Sequence, residues 1–104
     1  MGRIDIQRNA EPELIADVTL FDTEDGGRQG PIDPGYGCPV MVSKSEPLEG
    51  WDALLLLRDK PLQPGETRRL GFVFLSGQEA VAALRPAGRF FLWEGKFIGE
   101  TVIV

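Results

Sequence analysis

Residues 89–95 and 96–104 read "RFFLWEG" and "KFIGETVIV". Two apolar runs, each of strand length, flank the tight break Glu94-Gly95. Aromatic and β-branched residues on both sides of a glycine-containing turn are the mark of a β-hairpin. The second run ends apolar, on Val102-Ile103-Val104. An apolar edge strand invites aggregation unless it is paired, and closing a barrel pairs it. Phe90 and Phe91 are adjacent, so in a strand they point to opposite faces. One fills an interior; the other faces outward with Trp93 or lies against a helix.

The same reading extends back along the chain. "TRRLGFVFL" (67–75) sets Leu70, Phe72 and Phe74 on one side. "LIADVTLF" (14–21) sets Leu14, Ala16, Val18 and Leu20 against Ile15, Asp17, Thr19 and Phe21, a period of two. "CPVMVSK" (38–44) is β-branched enough for a strand, with Pro39 at its start or on a free edge. "WDALLLLR" (51–58) fits helix or strand by periodicity; its shortness and the "DKPLQPGE" turn after it favour strand. Residues 3–7, "RIDIQ", read as a weak first strand. Only "SGQEAVAALRPAG" (76–88) changes period. Ser76 and Glu79 form an S-x-x-E capping box, Ala80, Val81 and Leu84 share a face, and Pro86 stops the run. The spacing predicts one short helix near residues 77–85. With 13 glycines and 8 prolines in 104 residues, short strands and frequent turns are expected. The expected fold is all-β: one domain over 1–104, a small six-stranded antiparallel β-barrel of Greek-key type.

Composition excludes several function classes. The formal net charge of −5 repels phosphate backbones. The chain has no histidine, so Ser-His-Asp triads, Cys-His dyads and histidine-ligated metals are ruled out. Cys38 is the single cysteine and has no partner for an internal disulfide. Neither G-x-G-x-x-G nor G-x-x-x-x-G-K-[ST] occurs, and Asp22, Glu24 and Asp25 miss the calcium-loop spacing. No run of 18 apolar residues exists, and "MGRIDIQRNAEPE" is too polar for a secretory signal. The expectation is a cytoplasmic, non-enzymatic chain without cofactor, metal or nucleotide.

Three motifs carry a family likeness. "ADVTLFDTEDGGRQGPIDPGY" resembles the start of the C-terminal domain of elongation factor Tu, with Asp25, Gly26, Gly27, Arg28, Pro31, Gly35 and Tyr36 matching. "LQPGE" (62–66) resembles that domain's Met-Pro-Gly-Asp turn, and "GRFFLWEG…GETVIV" (88–104) its ending. The resemblance implies a six-stranded antiparallel barrel standing alone, without the GTPase domain and therefore without nucleotide hydrolysis. In the family this barrel touches the T-stem of aminoacyl-tRNA through the Arg and His of Gly-Gly-Arg-His and the late Glu-Gly turn. Here Arg28, Glu94 and Gly95 match, whereas Gln29 replaces the histidine. "GCPV" replaces an Arg-Pro-Gln, and the terminal hairpin is about one residue shorter.

The candidate contact residues are Gly27, Arg28, Gln29, Arg89, Glu94, Gly95 and Lys96. Arg28 has two readings: an ion pair with Asp22, Glu24 or Asp25 in its own loop, or a planar fork offered to a phosphate or carboxylate. Gly26 and Gly27 are expected to supply positive φ. Cys38 is expected to be a small buried or edge residue, reactive only if Arg28 or Lys44 stands beside it. The leading expectation is a non-catalytic binding module that engages a protein, or the translation machinery, through loop 22–37 and the 94–96 turn. The alternative is a tRNA- or RNA-contacting domain using Arg28, Arg89 and Lys96.

Overall fold

In strand β1 (Leu14–Leu20) the even-numbered residues are buried and the odd-numbered ones face outward, as the period of two predicts. The computed structural model describes residues 2–104. The remaining strands are β2 (Gly37–Met41), β3 (Gly50–Leu56), β4 (Thr67–Phe74), β5 (Arg89–Trp93) and β6 (Phe97–Ile103). They close into a barrel in the order β1-β4-β3-β2-β5-β6, and every pairing is antiparallel. The spatial order β1-β4-β3-β2 is a Greek key: three hairpin-linked strands and a fourth brought beside them by a long connection. Strand β6 pairs with β5 on one side and with β1 on the other, Ala16 opposite Ile103. The apolar edge expected for 96–104 is therefore paired on both sides.

The interior is filled by one residue in two from each strand. Phe72 stands edge-on to Phe90 with centroids 5.2 Å apart and stacks on Phe74 at 6.2 Å. Aromatic pairs at these distances are favourable beyond their area burial.

Two connections join strands that lie three places apart around the ring, so each must cross a mouth of the barrel. One is residues 75–88, whose helix α2 (Gln78–Leu84) buries Ala80, Val81 and Leu84. The other is residues 21–36. It carries Ile32, which bridges to Leu62 of the β3–β4 turn; both are fully buried. The glycine- and acid-rich loop is thus a lid over the second mouth.

Helix α2 lies where the spacing placed it, but its cap differs. The cap residue is Gly77 at φ +58°, with no side-chain cap bond, so the Ser76–Glu79 box does not form. The chain leaves β4 through a conformation that favours glycine, which puts the cap one residue past Ser76.

The weak strand expected at 3–7 is instead a helix, α1 (Arg3–Asn9). A closed barrel leaves no edge for a seventh strand. The helix docks on the β3–β4 turn, where Arg58 and Asp59 both adopt left-handed φ, +55° and +66°, a type I′ turn that ordinary residues resist. Gln7 is fully buried there. Its amide donates to Asp59 Oδ1 at 2.5 Å and to the Ile4 carbonyl at 3.1 Å, and its Oε1 accepts from Asp59 N–H at 2.9 Å. Arg8 adds an ion pair to Asp59 at 2.8 Å. The turn at Arg58–Asp59 is thus held in place by α1. No helix among the described residues is long and apolar enough to cross a membrane.

Candidate functional site

The lid leaves β1 at Phe21 and makes a 3₁₀ turn at Thr23–Asp25, closed by Gly26 at φ +88°. Gly26 therefore supplies positive φ as expected. Gly27, expected to do the same, does not adopt positive φ; glycine is required there for another reason. Its N–H donates to the Asp22 carbonyl at 2.9 Å, and a Cβ there would stand 2.2 Å from the Phe21 carbonyl oxygen. Only a residue without a side chain fits so close to backbone. Thr23 Oγ1 donates to the Arg28 carbonyl at 2.6 Å and fixes the far side of the turn.

This geometry sends Arg28 away from the acids of its own loop. Its Nε lies 3.4 Å from Glu94 Oε1, on the β5–β6 turn, which corrects the expected pairing with Asp22, Glu24 or Asp25. Glu24 and Asp25 sit exposed on the 3₁₀ turn, while Asp22 packs against Gly65, where a Cβ would meet its Oδ1 at 2.6 Å. The Arg28 guanidinium lies over the Tyr36 ring, 4.9 Å from the centroid. The Tyr36 hydroxyl donates to Glu94 Oε2. Lys96 Nζ donates to the Gly27 carbonyl at 3.3 Å, and Gly95 turns the chain at φ +73°. Arg28, Tyr36 and Glu94 thus interlock, with Lys96 tying the two loops together. Arg28 Nη1 is buried without a hydrogen-bond partner among the described residues.

Five of the seven sequence candidates, Gly27, Arg28, Glu94, Gly95 and Lys96, come together at this rim. Gln29 is exposed beside it. Arg89 does not join: it opens β5, at the other end from Glu94, and reaches Glu100 at 3.8 Å. Tyr36 was absent from the candidate contacts. The available signal was its setting, the only tyrosine, between two glycines in a polar loop.

Cys38 lies next to the rim and is buried. Burial pushes its thiol up to about 11, with the Glu94 charge adding to the effect against hydrogen bonds from the Trp93 backbone and Tyr36. The Tyr36 phenol is likewise raised, first by burial and then by its bond to Glu94. Neither group ionises near neutral pH, so neither is an activated nucleophile. No cluster of metal-ligating side chains exists among the described residues.

One consequence is measurable. At pH 8 a thiol with its pKa raised from 9.0 to about 11 carries roughly 100-fold less thiolate than in the unfolded chain. Iodoacetamide is therefore expected to label Cys38 at least that much more slowly in the native protein than in guanidinium. The thiol's contribution to stability is full below the unfolded value and is lost as pH rises between about 9 and about 11. Equal labelling rates in the two states would contradict the buried placement.

No protein-family model matches the chain. No curated protein matches it either.

Proposed function

We propose that this chain is a non-catalytic protein-binding module, kin to the C-terminal barrel of elongation factor Tu and working in the cytoplasm, whose docking rim is the mouth built from residues 21–36 and the 94–96 turn. The observation that carries the reading is the Arg28–Tyr36–Glu94 interlock. It fixes an arginine and a tyrosine, the residue types that dominate binding hot spots, before any partner arrives. Pre-organisation of this kind lowers the ordering entropy lost on association.

The charges favour a protein over a nucleic acid. Glu94 already offsets Arg28, Lys96 is turned to a backbone carbonyl, and Glu24 and Asp25 stand exposed beside them. A phosphate backbone needs uncommitted cations, and Arg89, the third cation of the RNA alternative, sits at the other end of β5. The high thiol and phenol values of Cys38 and Tyr36 support the non-catalytic part.

The test is site-specific photo-crosslinking in cells. A crosslinker at Gln29, exposed on the rim, is expected to capture one protein, with the adduct lost in Glu94→Lys. A crosslinker at Ala82, exposed on α2 across the barrel, is expected to capture none. Capture at position 82 but not at 29, or a tRNA band shift at low salt, would replace this reading.

A further inference from the structure

We propose that Phe21, Phe91 and Phe97 form an aromatic cage for a methylated lysine side chain of a protein partner, with Lys44 as the cage's own displaceable occupant. Phe21 follows β1, Phe91 lies on β5 and Phe97 opens β6, three neighbouring strands of the closed sheet. Each ring alternates with a buried neighbour, Leu20, Phe90 and Ile98, so all three face outward. Phe91 and Phe97 meet edge to face at 6.1 Å. The Lys44 ammonium sits over all three rings, 5.3, 5.1 and 5.6 Å from their centroids. A cation within about 6 Å of a ring centroid is attracted by the ring's quadrupole, and here one nitrogen is shared by three rings.

Lys44 is weakly anchored otherwise. It lies in the connection 42–49, where the β2–β3 ladder has ended at the Met41–Gly50 pair. Residues 43–47 are all exposed. The one side-chain bond there is local, Ser45 N–H to Ser43 Oγ at 3.3 Å. No carboxylate forms an ion pair with Lys44 among the described residues. Glu100, opposite Phe91 in the ladder, lies 3.8 Å from Arg89, whose guanidinium also lies over the Phe91 ring, 5.7 Å from its centroid.

A cage of rings without a free carboxylate discriminates among ammonium groups. A primary ammonium gives up strong hydration on entry and finds no acceptor for its N–H bonds. An N-methylated one is more weakly hydrated and presents methyl groups to the ring faces, so it gains more. The group seated there is the tip of a lysine carried on an exposed loop, and a partner's lysine reproduces both stem and head. The site is separate from the Arg28 rim and holds whether or not that rim docks a partner.

The experiment titrates the intact protein with a short neutral peptide carrying trimethyl-lysine, following Phe ring resonances by NMR. The expected result is shifts at Phe21, Phe91 and Phe97 with release of Lys44. The same peptide with a neutral tert-butyl isostere should bind at least about 5-fold more weakly. Lys44→Ala should bind the methylated peptide about 5-fold more tightly, since the internal competitor is gone. Phe91→Leu, which keeps bulk but removes the quadrupole, should lose the preference for charge. Equal binding of the isostere would overturn the cage, and unchanged affinity in Lys44→Ala would overturn the competitor. Binding to phosphatidylcholine vesicles but not to the peptide would overturn the assignment to a protein lysine.

Discussion

Replacing Gly27 with alanine is expected to destabilise the barrel by about 3 kcal/mol, lowering its melting temperature by roughly 12–24 °C. The added Cβ would lie 2.2 Å from the Phe21 carbonyl oxygen, 2.7 Å from its carbon and 2.8 Å from the Asp22 carbonyl oxygen. All three are backbone atoms, so no flexible side chain can yield; the lid itself must lift. Lifting it also pulls Arg28 off Glu94 and unseats Ile32 from the mouth, so stability and the rim fail together. Gly26→Ala is the control. Gly26 has left-handed φ but nothing within 4 Å of a new Cβ, so it should cost only about 1–2 kcal/mol. Thermal melts of the two variants decide the matter: equal losses would mean that neither close approach nor the lid's seating is what Gly27 supplies.

The second large effect is expected at Phe90. Phe90→Ala removes a fully buried ring that meets Phe72 edge-on at 5.2 Å. Emptying such a site costs about 3–5 kcal/mol, a large share of the roughly 5–15 kcal/mol that holds a small domain together. The neighbouring Phe91→Ala is expected to lose only about 1 kcal/mol, because that ring is half-buried on the outer face. It should instead abolish the hold on Lys44. Urea melts of the pair therefore separate interior from exterior along a single strand. If Phe91→Ala proved the more damaging, the assignment of faces in β5 would be wrong.

These two sites differ in how far they could be read in advance. The alternation in 89–93 shows that Phe90 and Phe91 part company, but not which one goes inside. That depends on register: Phe90 lies opposite Thr101 and Phe91 opposite Glu100, and a shift of one residue would exchange them. Gly27 was legible as a turn residue, yet the reason it must be glycine, a carbonyl 2.2 Å away, depends on how the lid folds back onto Phe21. Residues 3–7 read as a strand in the sequence because Ile4 and Ile6 alternate, whereas 3–9 fold as a helix. What stabilises it is the Gln7–Asp59 pairing across 52 positions, which no local pattern displays.

By itself the amino-acid sequence determined the strand positions of the barrel, the helix that closes one mouth and the absence of histidine chemistry. Each of these is written in residues a few positions apart, through side-chain alternation, turn formers and composition. Only the tertiary structure decided that Arg28 answers Glu94 rather than its own loop, that Tyr36 completes the rim, and that three phenylalanines, one just past β1 and two on β5 and β6, share one ammonium. Glu94 lies 58 or more residues from Tyr36 and Arg28, and Phe21 lies on a different part of the chain from Lys44, Phe91 and Phe97; only closure of the ring brings them within a few ångströms.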